Sequence, residues 1–528
     1  MWRMKNIIRL KGAMQKMDST PRKSPELRIR KFSNVYIGTG NGLLKKNIKK
    51  SIDALGGLSH FIKPGQSVFI KPNLTATQEA ITGGVTDIDF VKKLLELIRE
   101  ECEPGHVMVG ENTGQGGQMA RYFESHGWVA MCEQYGAELV DFEQDEWGEY
   151  PLENAMALDV VRLPKKVVEA DVFITLGVLK NHDTVCVTGG IKNSFGLVSM
   201  LDRRELHRMH AIEQSLVDIA RVRKPDLTLI DGRIGMEGIA GGSRFDHPRY
   251  ANRLIAGDDA VAVDVVCAHV MEQNPRVCYL QWCDEYGVGN ANLDYVNFRG
   301  MSLEEAKVRF MSPGEQIAEV TDDRIHMHDL GACSRCISLT QGTLGRFRDP
   351  STITRTTDIV YGPGEWKIDE KDRKEVCILV GDCILEKYRK LGTWIPGCPI
   401  NERELFKAFY DENVLCHKCE TLAREFIANH TDEELAFLRI LASNQSVYRG
   451  KDNHSEATDH VLLIGRCMIE YWYNHRNRTQ GEFRERGITT DFNDLVCHIN
   501  CHNVTMAQVE EAYEKLRAHY EEEQKKNG

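Results

Sequence analysis

Apolar positions along the chain alternate between two periods, and the alternation predicts most of the architecture. From Ser33 onward, short runs of β-branched and aliphatic residues recur: Val35–Ile37, Val68–Ile70, Val107–Val109, Val172–Leu176, Leu227–Ile230 and Leu254–Ile255. Runs of this length and composition predict buried strands. Between them, Leu43–Leu58, Asp87–Glu101 and Ala211–Arg221 carry apolar residues at helical spacing. Strands alternating with helices predict an α/β fold on a mostly parallel sheet, placed at residues 33–314. The chain then changes character. Residues 322–405 are rich in Gly, Cys and Pro, with little helical period except near Leu385–Lys390. They predict a loop-rich cysteine module ordered by something other than a large core. Residues 406–528 predict an all-α section, read from Glu402–Tyr410 through Asp432–Ala442 and Asp459–Tyr473 to Met506–Lys526, with Ser443–His454 as a loop. At the other end, residues 1–32 predict a flexible basic arm, because ten Lys or Arg stand against only Asp18 and Glu26.

The composition narrows the function classes. The chain has 528 residues, 42% hydrophobic and 27% charged, with a formal net charge of −11. Such a balance fits folded domains and gives no global attraction for nucleic acid, so no nucleic-acid partner is expected. No apolar run approaches the roughly 20 residues that span a bilayer, so no membrane span is expected. With no secretory signal evident, the 16 cysteines and 18 histidines are placed in a reducing cytoplasm. There, clustered thiols serve as metal ligands or catalytic groups more often than as disulfides.

Candidate chemistry sits where strands end, since an open parallel sheet binds ligands at the carboxyl ends of its strands. Lys71-Pro72-Asn73, Gly110-Glu111-Asn112, Lys180-Asn181-His182, Asp231-Gly232 and Gly257-Asp258-Asp259 each follow an apolar run. One such residue is ordinarily a helix cap or turn former; five sets on one edge would build a polar crevice. Lys180 and Lys192, with Gly189-Gly190 between them, suit the carboxylate or phosphate of an anionic small molecule, and His182 suits proton transfer near neutral pH. The bland alternative is surface lysines and a structural histidine. Dinucleotide binding at Gly38-Thr39-Gly40-Asn41-Gly42 is weak, because Leu43 stands where the third glycine belongs, and Gly110–Gln118 lacks a P-loop ending.

The blocks VFIKPNL (68–74), LKNHDTVCVTGGIKNSFGL (179–197), LIDGRIGMEG (229–238) and GDDAVAVD (257–264) resemble the domain of unknown function 362 family, over about residues 33–313. That resemblance implies a bacterial or archaeal protein without an agreed activity, frequently with an iron–sulfur module at the carboxyl end. The positions that match it are Lys71, Asn73, Lys180, His182, Lys192, Asn193, Asp231, Glu237 and Asp264. On this reading Lys71, Lys180 and Lys192 hold an anion and His182 moves a proton. Asp231 or Glu237 binds a cation or orients the histidine, while Asn73, Asn193 and Asp264 help bind a cofactor. The chain departs from many relatives in lacking a Cys-x2-Cys-x2-Cys-x3-Cys-Pro run, so a bacterial-ferredoxin wire does not carry over.

Cys333-Ser-Arg-Cys336, Cys383 and Cys398 offer four thiolates in loops, with glycine before three of them or nearby and Pro399 after the last. They suit a [4Fe-4S] cluster ahead of zinc, and Gly-Cys-Pro is similar to a ligand motif of iron–sulfur redox subunits. Cys416, Cys419, Cys497 and Cys501 suit a second cluster or a zinc ion. Cys377 reads as a buried hydrophobe. Cys102, Cys132, Cys186, Cys267, Cys278, Cys283 and Cys467 have no partner at ligand spacing, although Cys186 lies in the family block and is a candidate nucleophile. The expected function is therefore an iron–sulfur protein whose α/β domain binds an anionic molecule or cofactor, with redox or electron-transfer output and a redox protein partner. The alternatives are a non-redox racemase, isomerase or lyase with a structural or Lewis-acid metal, and a metallocofactor maturation factor.

Overall fold

The computed structural model describes residues 31–464, except 75–78, 113–118, 183–184, 209–210, 240–246, 275–276, 321–323, 345–354, 399, 401–403, 406–407, 410–416, 443–444 and 449–459, together with residues 505–527. Two units make up the chain. The first holds residues up to Ile317 together with Gly331–Gly342, and the second holds Ala318–Leu330 and the remainder from Thr343.

The first unit is built from β1 (Ser33–Thr39), β2 (Ser67–Lys71), β3 (His106–Glu111), β4 (Glu138–Asp141), β5 (Trp147–Pro151), β6 (Val160–Pro164), β7 (Val172–His182), β8 (Cys186–Thr188), β9 (Leu227–Met236), β10 (Pro248–Arg249), β11 (Arg253–Gly257) and β12 (Val296–Gly300). Its helices include α1 (Leu44–Asp53), α2 (Ile88–Glu101), α3 (Gly190–Asn193), α4 (Met200–Arg208), α5 (Ile212–Val222), α6 (Ala260–Val270), α7 (Cys278–Glu285) and α8 (Ser334–Leu344). The main sheet runs β12-β1-β11-β9-β7-β2-β3-β4. All neighbours along it are parallel except the two pairings made by β11. The α/β class and the mostly parallel sheet are as the sequence predicts.

Alternate residues of each strand feed opposite faces. Val35, Ile37, Phe69, Phe173 and Ile230 join one buried cluster, whereas Tyr36, Val68, Ile70, Ile174 and Leu229 join the other. Period two on a sheet covered on both faces requires this division, and it explains why the strands read as continuous apolar runs. Asp87 caps α2 by accepting from the Asp89 N–H at 2.9 Å, which starts that helix where the sequence places it.

Two local differences bear on function. Strand β7 continues through Lys180-Asn181-His182, residues expected beyond its end, and all eleven positions are buried. Strand β11 runs antiparallel to β1 and β9, so the Gly257-Asp258-Asp259 set lies at the opposite end of the sheet from the carboxyl ends of β2, β3, β7 and β9. Asp258 there accepts from the Asn34 N–H at 2.8 Å, at the start of β1. Runs of apolar residues reveal a strand but not its direction.

In the second unit, β13 (Ile325–Asp329), β14 (Thr357–Tyr361), β15 (Val376–Val380) and β16 (Thr393–Ile395) form a parallel sheet. It has its own small core of Val360, Trp366, Cys377, Leu379 and Ile384, so the stretch read as loops around a ligand contains a packed α/β layer. Burial pushes the Cys377 thiol up to about 12, as suits a buried hydrophobe. The carboxyl-terminal section contains the expected helix at its end, α10 (Met506–Asn527), and a helix the sequence reading did not place, α9 (His417–Ala428). It also carries a three-stranded sheet of β17 (Leu438–Ala442), β18 (Gln445–Tyr448) and β19 (His460–Ile464). The helices expected at Asp432–Ala442 and Asp459–Tyr473 thus give way to strands in part, since a five-residue apolar run fits either period.

Candidate anion-binding site

At the end of β2, Lys71 is wholly buried and its Nζ donates to Glu111 Oε2 at 2.6 Å, to Asn193 Oδ1 at 3.1 Å and to the Pro72 carbonyl at 3.1 Å. Glu111 closes β3 and also accepts from the backbone N–H groups of Leu74 (3.2 Å) and Asn112 (2.9 Å). Burial lowers the Lys71 ammonium from its ordinary value; Glu111 pulls it back up and Arg203 pushes it further down. Asn193, on α3, braces the pair by donating from Nδ2 to Thr175 Oγ1 at 2.8 Å. A Cβ on Gly196 would lie 2.6 Å from Glu111 Oε1 and 2.8 Å from Lys71 Nζ, so glycine lets the turn after α3 press against this ion pair.

Lys180 and His182 alternate on one face of β7, and Asn181 on the other donates to the Met311 carbonyl at 2.9 Å. The Lys180 Nζ donates to the Gly84 carbonyl at 2.6 Å. Burial, and then the nearby Lys192 charge, bring its ammonium down to about 7. Lys192 is itself buried, with its Nζ 4.8 Å from the centre of the Phe195 ring. His182 is directly opposite Cys186 in the β7–β8 ladder, and Cys186 has φ of +65°. Asn73 takes its place through a hydrogen bond from its N–H to Thr86 Oγ1 at 2.8 Å, leaving Oδ1 buried with no partner among the described residues.

A further cation joins this cluster from α4. Arg203 is 8% exposed, and its Nε and Nη2 have no hydrogen-bond partner among the described residues. Burial lowers its guanidinium, against the pull of Glu111 and Glu143. Both amide atoms of buried Asn112 are likewise unsatisfied. Leaving a buried donor unpaired costs about 1–3 kcal/mol, more for a charged group, so this edge of the sheet carries polar capacity that its own side chains do not use. Sequence reasoning noted Glu111 at a strand end without giving it a role, and missed Arg203. The Asp-Arg-Arg-Glu run at 202–205 has the look of a solvated helix face.

Three of the acidic positions named from the sequence are occupied by the protein itself. Asp231 accepts from Arg233 Nε at 3.0 Å and Nη2 at 2.7 Å, and Arg233 reaches on to Asp87 at 2.8 Å. Glu237 accepts from the Met311 N–H at 2.8 Å. Asp264, on α6, accepts from the Gly190 N–H at 2.6 Å and the Ile191 N–H at 3.0 Å, fixing the start of α3. Its close approach needs a glycine, since a Cβ on Gly189 would meet Asp264 Oδ1 at 2.1 Å. Burial raises the Asp264 carboxyl to about 7 in spite of those N–H groups.

The cysteines divide differently from their spacing. Cys333 and Cys336, at the start of α8, belong to the first unit, and Cys383 and Cys398, both exposed, belong to the second. Neither unit by itself holds the four thiols named for a [4Fe-4S] cluster. Cys419 is buried on α9, and Cys416, Cys497 and Cys501 fall outside the described residues. Among the described residues, no group of three or more His, Cys, Asp or Glu is disposed to hold a metal ion. Cys333 does gather thiols, one of them not anticipated. Its sulfur accepts hydrogen bonds from the side chains of Cys278 and Cys336 and from the backbone N–H groups of Arg335 and Cys336, which together hold it well below the ordinary thiol range. Cys278 lies 55 residues before Cys333, and no spacing rule could have joined them.

Residues 68–269, which include every crevice residue described above, match the family described as Domain of unknown function (DUF362). Over 239 residues the chain is 28% identical to the thylakoid-associated protein sll1697 of Synechocystis sp., an alignment spanning 44% of this chain and 72% of that protein. Among solved structures, the lactate racemase apoprotein from Thermoanaerobacterium thermosaccharolyticum aligns over 73% of this chain and 92% of its own, at 10% identity and a TM-score of 0.31. No helix among the described residues is long and apolar enough to cross a membrane.

Proposed function

We propose that the α/β domain binds an anionic small molecule at the carboxyl ends of β2, β3 and β7 and moves a proton on it. The observation that carries this reading is the buried guanidinium of Arg203, whose Nε and Nη2 donors have no partner among the described residues. Those two N–H groups form one edge of the guanidinium fork, a geometry matched to two oxygens of a carboxylate or phosphate. Lys71 and Lys180 are buried in the same cluster, with Lys192 close enough to depress Lys180. Glu111 pairs with Lys71 and, together with Glu143, draws on Arg203. A bound anion would add negative charge beside these cations.

Within that arrangement, Lys71 is locked by Glu111 and Asn193 and so presents a fixed positive charge, while Arg203 and Asn112 offer open hydrogen-bonding capacity. Lys180, brought near neutral by burial, and His182 on the same face of β7 are the groups suited to giving or taking a proton at physiological pH. That favours the acid–base class of enzyme, a racemase, isomerase or lyase, over electron transfer.

The test is a thermal-shift and calorimetric titration of the full chain with inorganic phosphate, a monocarboxylate and a dicarboxylate, using chloride at matched ionic strength as control. One class of anion should raise the melting temperature and saturate, and Lys71→Met should abolish the effect. Shifts that track ionic strength alone would sink the proposal.

A further inference from the structure

Just beyond β2 and β3, two asparagines carry buried polar atoms that make no hydrogen bond among the described residues: Oδ1 of Asn73, and both Oδ1 and Nδ2 of Asn112. Each residue is 1% exposed. Buried polar atoms are paired as a rule, so three orphans at one edge of a sheet call for a partner from outside the chain.

The two side chains stand together. Counting on from the last pair of the β2–β3 ladder, Ile70 with Val109, sets Asn73 level with Asn112. Glu111 ties both segments to one carboxylate, accepting from the Leu74 N–H at 3.2 Å and from the Asn112 N–H at 2.9 Å. Level residues on adjacent parallel strands present their side chains to the same face, about 4.8 Å apart. Four residues back along each strand, Phe69 and Met108 belong to the buried cluster that Ile191 of α3 and Leu206 of α4 also join. The face of Asn73 and Asn112 is thus the one covered by the helix that carries Arg203. Cations flank the pair. Lys71 lies two residues before Asn73, and Lys180 donates to the Gly84 carbonyl at 2.6 Å, two residues from the Thr86 hydroxyl that accepts the Asn73 N–H at 2.8 Å.

We propose that the anion taken at this edge carries two hydroxyl groups on adjacent carbons, read by Asn73 and Asn112. This rests on the anion-binding reading above and adds the neutral part of the ligand. An amide oxygen only accepts, so two buried Oδ1 atoms need two donors. An ionised carboxylate has no proton to donate, and its oxygens suit Arg203 and Asn112 Nδ2, which are donors. One hydroxyl supplies one proton, so two acceptors call for two hydroxyls. Acceptors one strand spacing apart are spanned by neighbouring hydroxyls at ordinary hydrogen-bond lengths. An ammonium would also donate, but the buried Lys71 charge repels it. The ligand chemistry is that of a polyhydroxy acid or a phosphorylated polyol.

The test is calorimetric titration of the full chain with two matched pairs, glycerate against propionate and glycerol phosphate against propyl phosphate, with neutral glycerol as control. In one pair the diol-bearing anion should bind at least about tenfold tighter than its hydroxyl-free partner, because the latter leaves buried acceptors unpaired. The pair that responds tells carboxylate from phosphate. Asn73→Leu and Asn112→Leu should each bring that ratio toward one, a change in selectivity that a merely structural role would not produce. Equal affinities within both pairs would overturn the hydroxyl assignment and leave anion binding standing. No binding by any of the four anions would overturn both. Glycerol binding as tightly as the charged diols, or a ratio unchanged in both variants, would also overturn the proposal. The wild-type comparison decides the matter even if a variant fails to fold.

Discussion

Replacing Arg203 by methionine should make the ligand-free protein more stable and leave it unable to respond to its anion. Arg203 is 8% exposed, with Nε and Nη2 unsatisfied among the described residues and the Lys71 ammonium near enough to be depressed by it. An unsatisfied buried donor costs about 1–3 kcal/mol, and exchanging a buried charge for a well-packed apolar side chain is commonly neutral or stabilising by about 1–4 kcal/mol. A methionine of similar length fills the same space, so a gain of about 1–3 kcal/mol is expected. At about 2–4 °C per kcal/mol for a domain of this class, the melting temperature should rise by roughly 2–12 °C. The anion should have the opposite consequence. In wild-type protein a ligand at 100 times its dissociation constant adds about 2.7 kcal/mol of stability. Each hydrogen bond to a charged group is worth about 1.5–3 kcal/mol, so losing the fork should remove most of that gain. Calorimetric unfolding of both proteins, with and without the anion found by titration, measures all four quantities. A variant that is less stable without ligand and keeps the full anion response would refute the reasoning, because Arg203 would then be serving the fold and not the site.

Further expectations concern the same cluster and its supports. The folded Lys180 ammonium is lowered to about 7, so between about pH 7 and its unfolded value the unfolded chain binds more protons and stability rises with pH; Lys180→Met should flatten that rise in denaturation midpoints. A bound anion favours charged Lys180, so its affinity should fall above about pH 7, with proton uptake visible by calorimetry in buffers of different ionisation enthalpy. Gly196→Ala places a methyl group 2.6 Å from Glu111 Oε1 and 2.8 Å from Lys71 Nζ, and should weaken anion binding at least tenfold while the circular dichroism spectrum stays native. Asp264 is raised to about 7, so it contributes stability below its unfolded value that is lost as pH rises through about 7. Asp264→Ala strips the Gly190 and Ile191 N–H groups of their acceptor and should cost about 1–3 kcal/mol in urea unfolding, with anion affinity falling through displacement of α3.

Much of this could be read from the residues in order. The strands at Val68–Ile70, Val107–Val109 and Val172–Leu176 and the helices after Asp87 and Ala211 stand out because a strand buried on both faces is continuously apolar, while a helix packed on one face repeats every three to four residues. Polar residues at the ends of such strands marked the crevice, and Lys71, Lys180, His182 and Lys192 are all buried in the first unit. Less of the carboxyl-terminal half was legible. Leu438–Ala442 is too short for its period to separate strand from helix, and β13 to β16 are short strands set among longer Gly-, Cys- and Pro-rich stretches.

The sequence by itself determined the α/β class, the strands and the lysine-bearing edge, because each follows from the local spacing of side chains along a backbone of fixed geometry. The tertiary structure decided everything that depends on distance through space. It turned β11 against its neighbours and removed Asp258 and Asp259 from the crevice. It occupied Asp231, Glu237 and Asp264 with Arg233, the Met311 N–H and the head of α3. It buried Arg203 beside Lys71 and set Cys278 against Cys333 across 55 residues of chain. Burial and partners, which set both the charge of a side chain and its freedom to meet a ligand, exist only once the chain has folded.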